Sequence, residues 1–339
     1  MIQKQSCNKT VPMMHNANAL HLEAQPPHCG YGKIILFGEH FVVHGAPALA
    51  CALPLYTHAT IKPTRLASAI TLIDRRPLAK KRVPYKNSAY HAMAEAIFKN
   101  LGVTSTAYTI TLQGTLPLAT GGIGSSAAAA VAIAHASNKY FSLHKTPQEL
   151  NNAAFVGEAC IHATPSGIDN TAASFGGVFT YQNKQANHLH LNHELHIVIA
   201  DSGRQTNIQH VIHDSHDLTP QTRPDLFDYY QTLFTQGLDA LMHQKIVELG
   251  QLMTLNHHLL RSCNLSCPEL DFMVQQSINV GALGAKLTGT GRGGIMIALA
   301  PDAATQNTIH NHLAQHGFWT SSQSITTPAL PSNHTPLHP

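Results

Sequence analysis

Two domains that mix strands and helices are what this sequence predicts, and three observations predict it. The chain has 339 residues, about twice the ~150 of an average domain. Hydrophobic residues make up 43% of it, enough for a sizeable core. Apolar runs of strand length alternate with helical segments on both sides of a turn signal at Asp201-Ser202-Gly203. That turn is the expected boundary between an N-terminal domain over 29–203 and a C-terminal domain over 204–325.

The elements follow in order. Residues 1–28 read as a loosely ordered leader rich in Asn, Gln and Pro. The run Lys33-Ile-Ile-Leu-Phe-Gly38 reads as a buried strand ending at a glycine, and alternating strand-like pieces follow around 48–73. Asp74 to Lys86 is a basic loop carrying Arg75, Arg76, Lys80, Lys81, Arg82 and Lys86. It reads either as a solvated surface or as a rim that attracts phosphate. A helix at 88–100 and a strand at 106–113 lead to a glycine cluster at 121–124, then to the alanine-rich helix Ser126–Tyr140. Thr146 as N-cap, Pro147 at the first position and Glu149 in the first turn predict a helix over 147–162. A strand at 195–200 precedes the turn. Helices are expected at 224–243, 245–260 and 267–280, a strand at 294–300 and a last helix at 302–316. The tail 326–339, with four prolines from Thr326 onward, is expected to be disordered.

Composition excludes several classes. Charged residues are only 12% and the formal charge is +3, too weak and dispersed for a nucleic-acid partner. The 25 histidines are scattered rather than tracted, which makes net charge steeply pH-dependent below about pH 6.5. Six cysteines, Cys7, Cys29, Cys51, Cys160, Cys263 and Cys267, are too sparse for a disulfide framework and fit a reducing cytosol. Cys263 and Cys267 have the i, i+4 spacing of one helix face, but no further ligands stand nearby, so they read as ordinary thiols. No stretch approaches the ~20 apolar residues of a membrane span, and the first 28 residues hold no secretory apolar core. A soluble cytoplasmic protein is expected.

Four segments carry chemistry. In Leu116-Pro-Leu-Ala-Thr-Gly-Gly-Ile-Gly-Ser-Ser126, the glycines let main-chain N–H groups approach a ligand closely. The helix that starts at Ser125 and Ser126 then offers unpaired N–H groups and a dipole to an anion. No lysine follows the last glycine and the dinucleotide Gly-x-Gly-x-x-Gly order is absent, so it is neither of those nucleotide motifs. Taken alone it is also a plain Gly/Ser helix cap. A second glycine-rich turn, Lys286-Leu-Thr-Gly-Thr-Gly-Arg-Gly-Gly294, precedes an apolar strand. In Glu158-Ala-Cys-Ile-His-Ala-Thr-Pro-Ser-Gly-Ile-Asp169, two carboxylates are placed to serve one cleft, although Asp169 alone reads equally as a helix cap. The fourth segment is Gly32-Lys-Ile-Ile-Leu-Phe-Gly-Glu-His-Phe-Val-Val-His-Gly45. Its His40 and His44 are not a zinc pair, because Gly45 and Pro47 oppose a sustained helix.

Together these motifs, in this order over roughly 30–300, resemble the GHMP small-molecule kinases. Within that family the 32–45 run is most similar to the mevalonate kinases. The resemblance implies a two-domain α+β GHMP kinase fold, with an N-terminal domain like the second domain of ribosomal protein S5 and a ferredoxin-like C-terminal domain. It implies transfer of the ATP γ-phosphoryl group to the 5-hydroxyl of (R)-mevalonate, a step of isoprenoid biosynthesis. ATP would lie on Thr120, Gly121, Gly122, Ile123, Gly124, Ser125 and Ser126, with Mg²⁺ on Ser126 and Glu158. Asp169 would be the base, with Lys33 beside it. Lys33, Glu39, His40, Asp169 and Thr288 would face the substrate. A homodimer is the assembly it suggests. Two departures stand out: the phosphate loop has one extra residue and Ile123 in place of leucine, and Arg292 fills a position more often glycine. There Arg292 reads as a phosphate contact or as a surface ion pair. Another substrate of the family, phosphomevalonate or a sugar, and a non-catalytic ligand sensor are the alternatives.

Overall fold

The computed structural model describes residues 28–64, 70–79, 87–105, 107–118, 121–162, 165–205 and 218–326. The leader up to residue 27, the tail beyond Thr326, the basic stretch 80–86 and Thr120 lie outside the described residues.

The first sheet holds β1 (Gly30–Phe37), β2 (Ala48–Pro63), β3 (Thr71–Asp74), β4 (Tyr108–Gly114), β5 (Val178–Gln182) and β6 (Gln185–Leu189). Its order is β3-β4-β2-β5-β6, with β1 also on β2, and only β3 and β4 run parallel. The pieces expected over 48–73 are thus mostly one 16-residue strand, β2. The helices α1 (Asn87–Asn100), α2 (Ser125–Tyr140), α3 (Pro147–Glu158) and α4 (Ile168–Phe175) belong to this half.

Small side chains decide how this half packs. Ala127 to Ala134 of α2 are all buried, because alanine keeps a helix thin at no cost in side-chain entropy. β1 comes so close that a Cβ on Gly30 would lie 2.1 Å from the Ala128 carbonyl oxygen. Helix α3 starts as expected, with Thr146 and Glu149 forming a reciprocal capping box behind Pro147. It ends at Glu158 rather than 162. The Cys160 and Ile161 N–H groups bond three residues back, to Gly157 and Glu158, which tightens the chain out of the helix.

The second sheet has the order β10-β7-β9-β8, all antiparallel, from β7 (Leu195–Asp201), β8 (Gly284–Thr288), β9 (Ile295–Ala300) and β10 (Trp319–Ile325). Helices α5 (Pro224–Met242), α6 (Ile246–Ser262), α7 (Pro268–Asn279) and α8 (Ala303–Gln315) complete it. Strand β7, upstream of the expected division at 203, pairs within the second sheet. β7 is an inner strand between β9 and β10, and the turn after it marks where the chain leaves a strand, not which sheet owns that strand. Cys263 and Cys267 are buried free thiols, but they do not share a helix face: one ends α6 and the other caps α7.

One apolar core runs through both sheets, from Ile34 and Leu36 of β1 to Ile197, Ile199 and Leu287. Phe41 stacks on Tyr230 of α5 with centroids 4.2 Å apart, and the Tyr230 hydroxyl donates to the Pro47 carbonyl at 2.5 Å. Among the described residues no helix is long and apolar enough to cross a membrane.

The histidines leave a mark on stability. Burial pushes His135 of α2 down to about 4 from 6.5, with His28 adding to the shift. A lowered folded value means that the stability tied to neutral His135 is complete above about pH 6.5 and lost as pH falls towards 4. In urea titrations over that window, His135→Gln should flatten the loss of stability relative to the unmodified chain. An unchanged slope would show that His135 is not held neutral.

Candidate active site

The glycines at 121, 122 and 124 have φ of +154°, +93° and +75°, in the region that side chains disfavour. Gly124 is the N-cap of α2 and offers no side chain to its first turn, so the N–H groups there remain for a ligand. The second glycine loop docks directly on the first. A Cβ on Gly122 would lie 2.6 Å from the Thr288 carbonyl oxygen, and one on Gly289 would lie 2.5 Å from Gly122 Cα. The two small-residue loops of the sequence therefore form one structure, which joins the halves of the molecule.

Around this junction the charged residues gather. Lys33 on β1, whose N–H donates to the Ile123 carbonyl at 3.0 Å, is buried. Its Nζ lies 3.3 Å from Asp169 Oδ1. Asp169 sits in the first turn of α4 behind Gly167 at φ +90°, and is one-third exposed, open to the cleft. The Ser126 hydroxyl donates to Glu158 Oε1 at 2.7 Å. Ser125 differs: its hydroxyl turns back to the Pro117 carbonyl at 2.8 Å, so any contact with a phosphate would come from its N–H.

Glu39 and His40 follow β1. Glu39 is buried and its Oε1 is bonded by Lys286 of β8, while Oε2 has no partner among the described residues. Burial pushes the Glu39 carboxyl up and the Lys286 ammonium down, and each opposes the other's shift. His40, at φ +67°, packs 5.1 Å from the His44 ring, and burial pushes it down to about 4. Thr288 is engaged by the first half, since its Oγ1 accepts from the Ile35 N–H at 2.9 Å. Its own hydroxyl proton is what it has left to offer a ligand.

Known proteins resemble this chain along most of its length. The profile of the GHMP kinases N terminal domain matches residues 87–177, and that of the GHMP kinases C terminal domain matches 238–317. A mevalonate kinase of Thermococcus sibiricus is 30% identical over 302 residues, covering 81% of this chain and 89% of that protein. One from Aeropyrum pernix is 30% identical, covering 87% and 93%. The crystal structure of L. major mevalonate kinase in complex with R-mevalonate superposes with a TM-score of 0.83. It is 34% identical and covers 89% of this chain and 96% of that one. The chain belongs to the GHMP kinase family.

As a GHMP kinase it has the family's two-domain fold and is an ATP-dependent small-molecule kinase. The residues at the head of α2 also fit a divalent cation. Glu158 is buried, its Oε2 has no partner among the described residues, and burial pushes its carboxyl up to about 8. A buried carboxylate with a lone oxygen beside a hydroxyl suits Mg²⁺, which uses one or two protein oxygens and takes the rest from phosphates and water.

Three residues of this kinase escaped the sequence reading. Lys286 looked like the start of a flexible loop, yet it is a buried strand residue. His162 lies 3.4 Å from both Ser126 Oγ and Glu158 Oε1, and its spacing of four from Glu158 was the available signal. Arg76 departs from both readings of the basic loop, in which Arg75 is exposed and 80–86 lie outside the described residues. It is buried, paired with Asp74, and donates to the Ser125 carbonyl at 2.7 Å, so it buttresses the first turn of α2. At Arg292 the Nε donates to the Asn264 carbonyl at 2.8 Å, and its φ of +56° explains why glycine suits the position.

Gly122→Ala should part the two loops, since its Cβ has nowhere to go and its φ is positive. Titration of the variant with a fluorescent ATP analogue should show affinity reduced by about tenfold or more. Wild-type affinity would mean that the loops do not need this contact.

Proposed function

We propose that this kinase transfers the γ-phosphoryl group of ATP to the 5-hydroxyl of (R)-mevalonate, giving 5-phosphomevalonate and ADP. The observation that carries this reading is the Lys33–Asp169 pair, standing in the same cleft as the Ser126–Glu158 pair. The similarity to L. major mevalonate kinase in complex with R-mevalonate supports the choice of substrate.

In this reading the N–H groups of 121–126 hold the ATP phosphates at the N-terminus of α2. Asp169 takes the proton of the substrate hydroxyl, whose oxygen forms a bond to the γ-phosphorus while the bond to the ADP oxygen breaks. The Lys33 ammonium stabilises the developing alkoxide. Ser126 and Glu158 would hold Mg²⁺, which when bound neutralises phosphate charge. Glu39, His40 and Thr288 shape the substrate end. Catalysis rests on positioning and charge stabilisation rather than on a covalent intermediate. We place the enzyme in the cytoplasm, which its sparse free thiols support, and take a homodimer as its assembly.

The substrate is tested by ADP release with Mg-ATP, comparing (R)-mevalonate with phosphomevalonate, galactose and homoserine. Turnover on mevalonate alone is expected, and turnover on another acceptor would replace it. Asp169→Ala should lower kcat by about 100-fold or more and leave ATP binding largely intact. Residual turnover above about a tenth of wild type would take Asp169 out of the role of base.

A further inference from the structure

Lys286 is fully buried, and a buried ammonium is costly unless its surroundings are built for it. Here they are. Its Nζ donates to Glu39 Oε1, to the Leu287 carbonyl at 2.9 Å and to the Ile35 carbonyl at 3.4 Å. Side chains alternate along a strand, so Lys286 and Thr288 leave β8 on one face, and both grip the Ile35 peptide of β1. The outer edge of β8 is closed by α6: Ala285 N–H donates to Thr254 Oγ1 at 3.2 Å and Leu287 N–H to His257 Nδ1 at 3.3 Å. Lys286 is therefore presented by a strand fixed on both sides.

The charge arithmetic of the cleft gives this reach a purpose. Glu39, Asp169 and Glu158 are three carboxylates, and Lys33 exerts its field on Glu39 and Glu158 as well as pairing with Asp169. With Lys33 as the only cation, a buried Glu39 would compete for it, because an unpaired buried carboxylate is strongly unfavourable. Lys286 gives Glu39 a cation of its own, so that Lys33 is not drawn away from Asp169 by a second paired acid.

We propose that Lys286 is a positioning residue for catalysis: by pairing with Glu39 it leaves Lys33 to Asp169 and holds Glu39 in place at the substrate end of the cleft. This rests on the reading of Lys33 and Asp169 as the catalytic pair. Lys286 acts through Glu39, so its removal matters only while Glu39 carries a charge.

The test is a cycle of K286M, E39Q and K286M/E39Q, each checked for folding by thermal melt, with kcat and KM measured for mevalonate and for ATP. K286M should lose about 100-fold in kcat, as a misplaced catalytic group does, while KM for ATP stays close to wild type. The double variant should regain at least ~tenfold over K286M, with KM for mevalonate still raised because the Glu39 carboxylate is gone. In the E39Q background, adding K286M should cost less than about threefold. A merely structural lysine would change melting temperature and folded yield without this split. A folded K286M with near wild-type kcat would overturn the proposal, as would a double variant no faster than K286M. If K286M does not fold, the comparison of E39Q with K286M/E39Q decides, and a tenfold loss there overturns it. An inactive wild type would instead refute the substrate reading, whereas an active wild type with an active K286M refutes only the role of Lys286.

Discussion

Backbone meeting backbone at Gly122 is the constraint on which the cleft depends. The Thr288 carbonyl and Gly289 come so close to Gly122 that no side chain fits between them. This contact sets the end of β8, in the second sheet, against the head of α2, which packs on the first. The sparing of side chains has a second effect. The N–H groups at the start of α2 stay uncovered, while Lys33, Asp169 and Glu158 are brought around them by β1, α4 and α3. A bulkier loop would push β8, with Lys286 and Thr288, away from the head of α2.

Charge follows from that geometry. Lys33, Glu39, Glu158 and Lys286 are all buried, and each buried ion carries a desolvation penalty of several kcal/mol before pairing. Lys33 and Lys286 each have a carboxylate. Glu158 has a hydroxyl and a neighbouring histidine instead, and its carboxyl is pushed up to about 8. The cleft is balanced at its Glu39 end and short of positive charge at its Glu158 end. That asymmetry is what a site receiving a cation together with phosphates requires, because the incoming metal completes the local charge.

Much of this was legible in the sequence where local chemistry and global fold agree. The capping box of α3, the alanine stripe of α2 and the two glycine loops each have a local signature, and each sits where it was expected. The β5–β6 hairpin was not legible. Its turn uses Asn183 and Lys184 at φ +50° and +65°, and Lys184 stands where glycine would have announced the turn. Strand β10 is Trp-Thr-Ser-Ser-Gln-Ser-Ile, too polar to read as a strand, and it forms only because β7 beside it presents a full row of partners. Lys286 and Arg76 were misread for a related reason. Lysine and arginine report solvent on average, and only tertiary structure shows a carboxylate waiting inside.

The shared core bears on how such a site can work. Domains that meet through a modest polar interface move against each other by default. Here Phe41 stacks on Tyr230, and apolar residues of both sheets belong to one cluster, so sliding one half past the other would open well-packed hydrophobic contacts. The placement of Lys286 and Thr288 of β8 against Lys33, Asp169 and the head of α2 is therefore set by folding rather than by ligand binding. Phosphoryl transfer depends mainly on holding acceptor, phosphate and charged groups in line. A core that runs through both halves fixes those groups before the substrates arrive, which is where a positioning mechanism has most to gain.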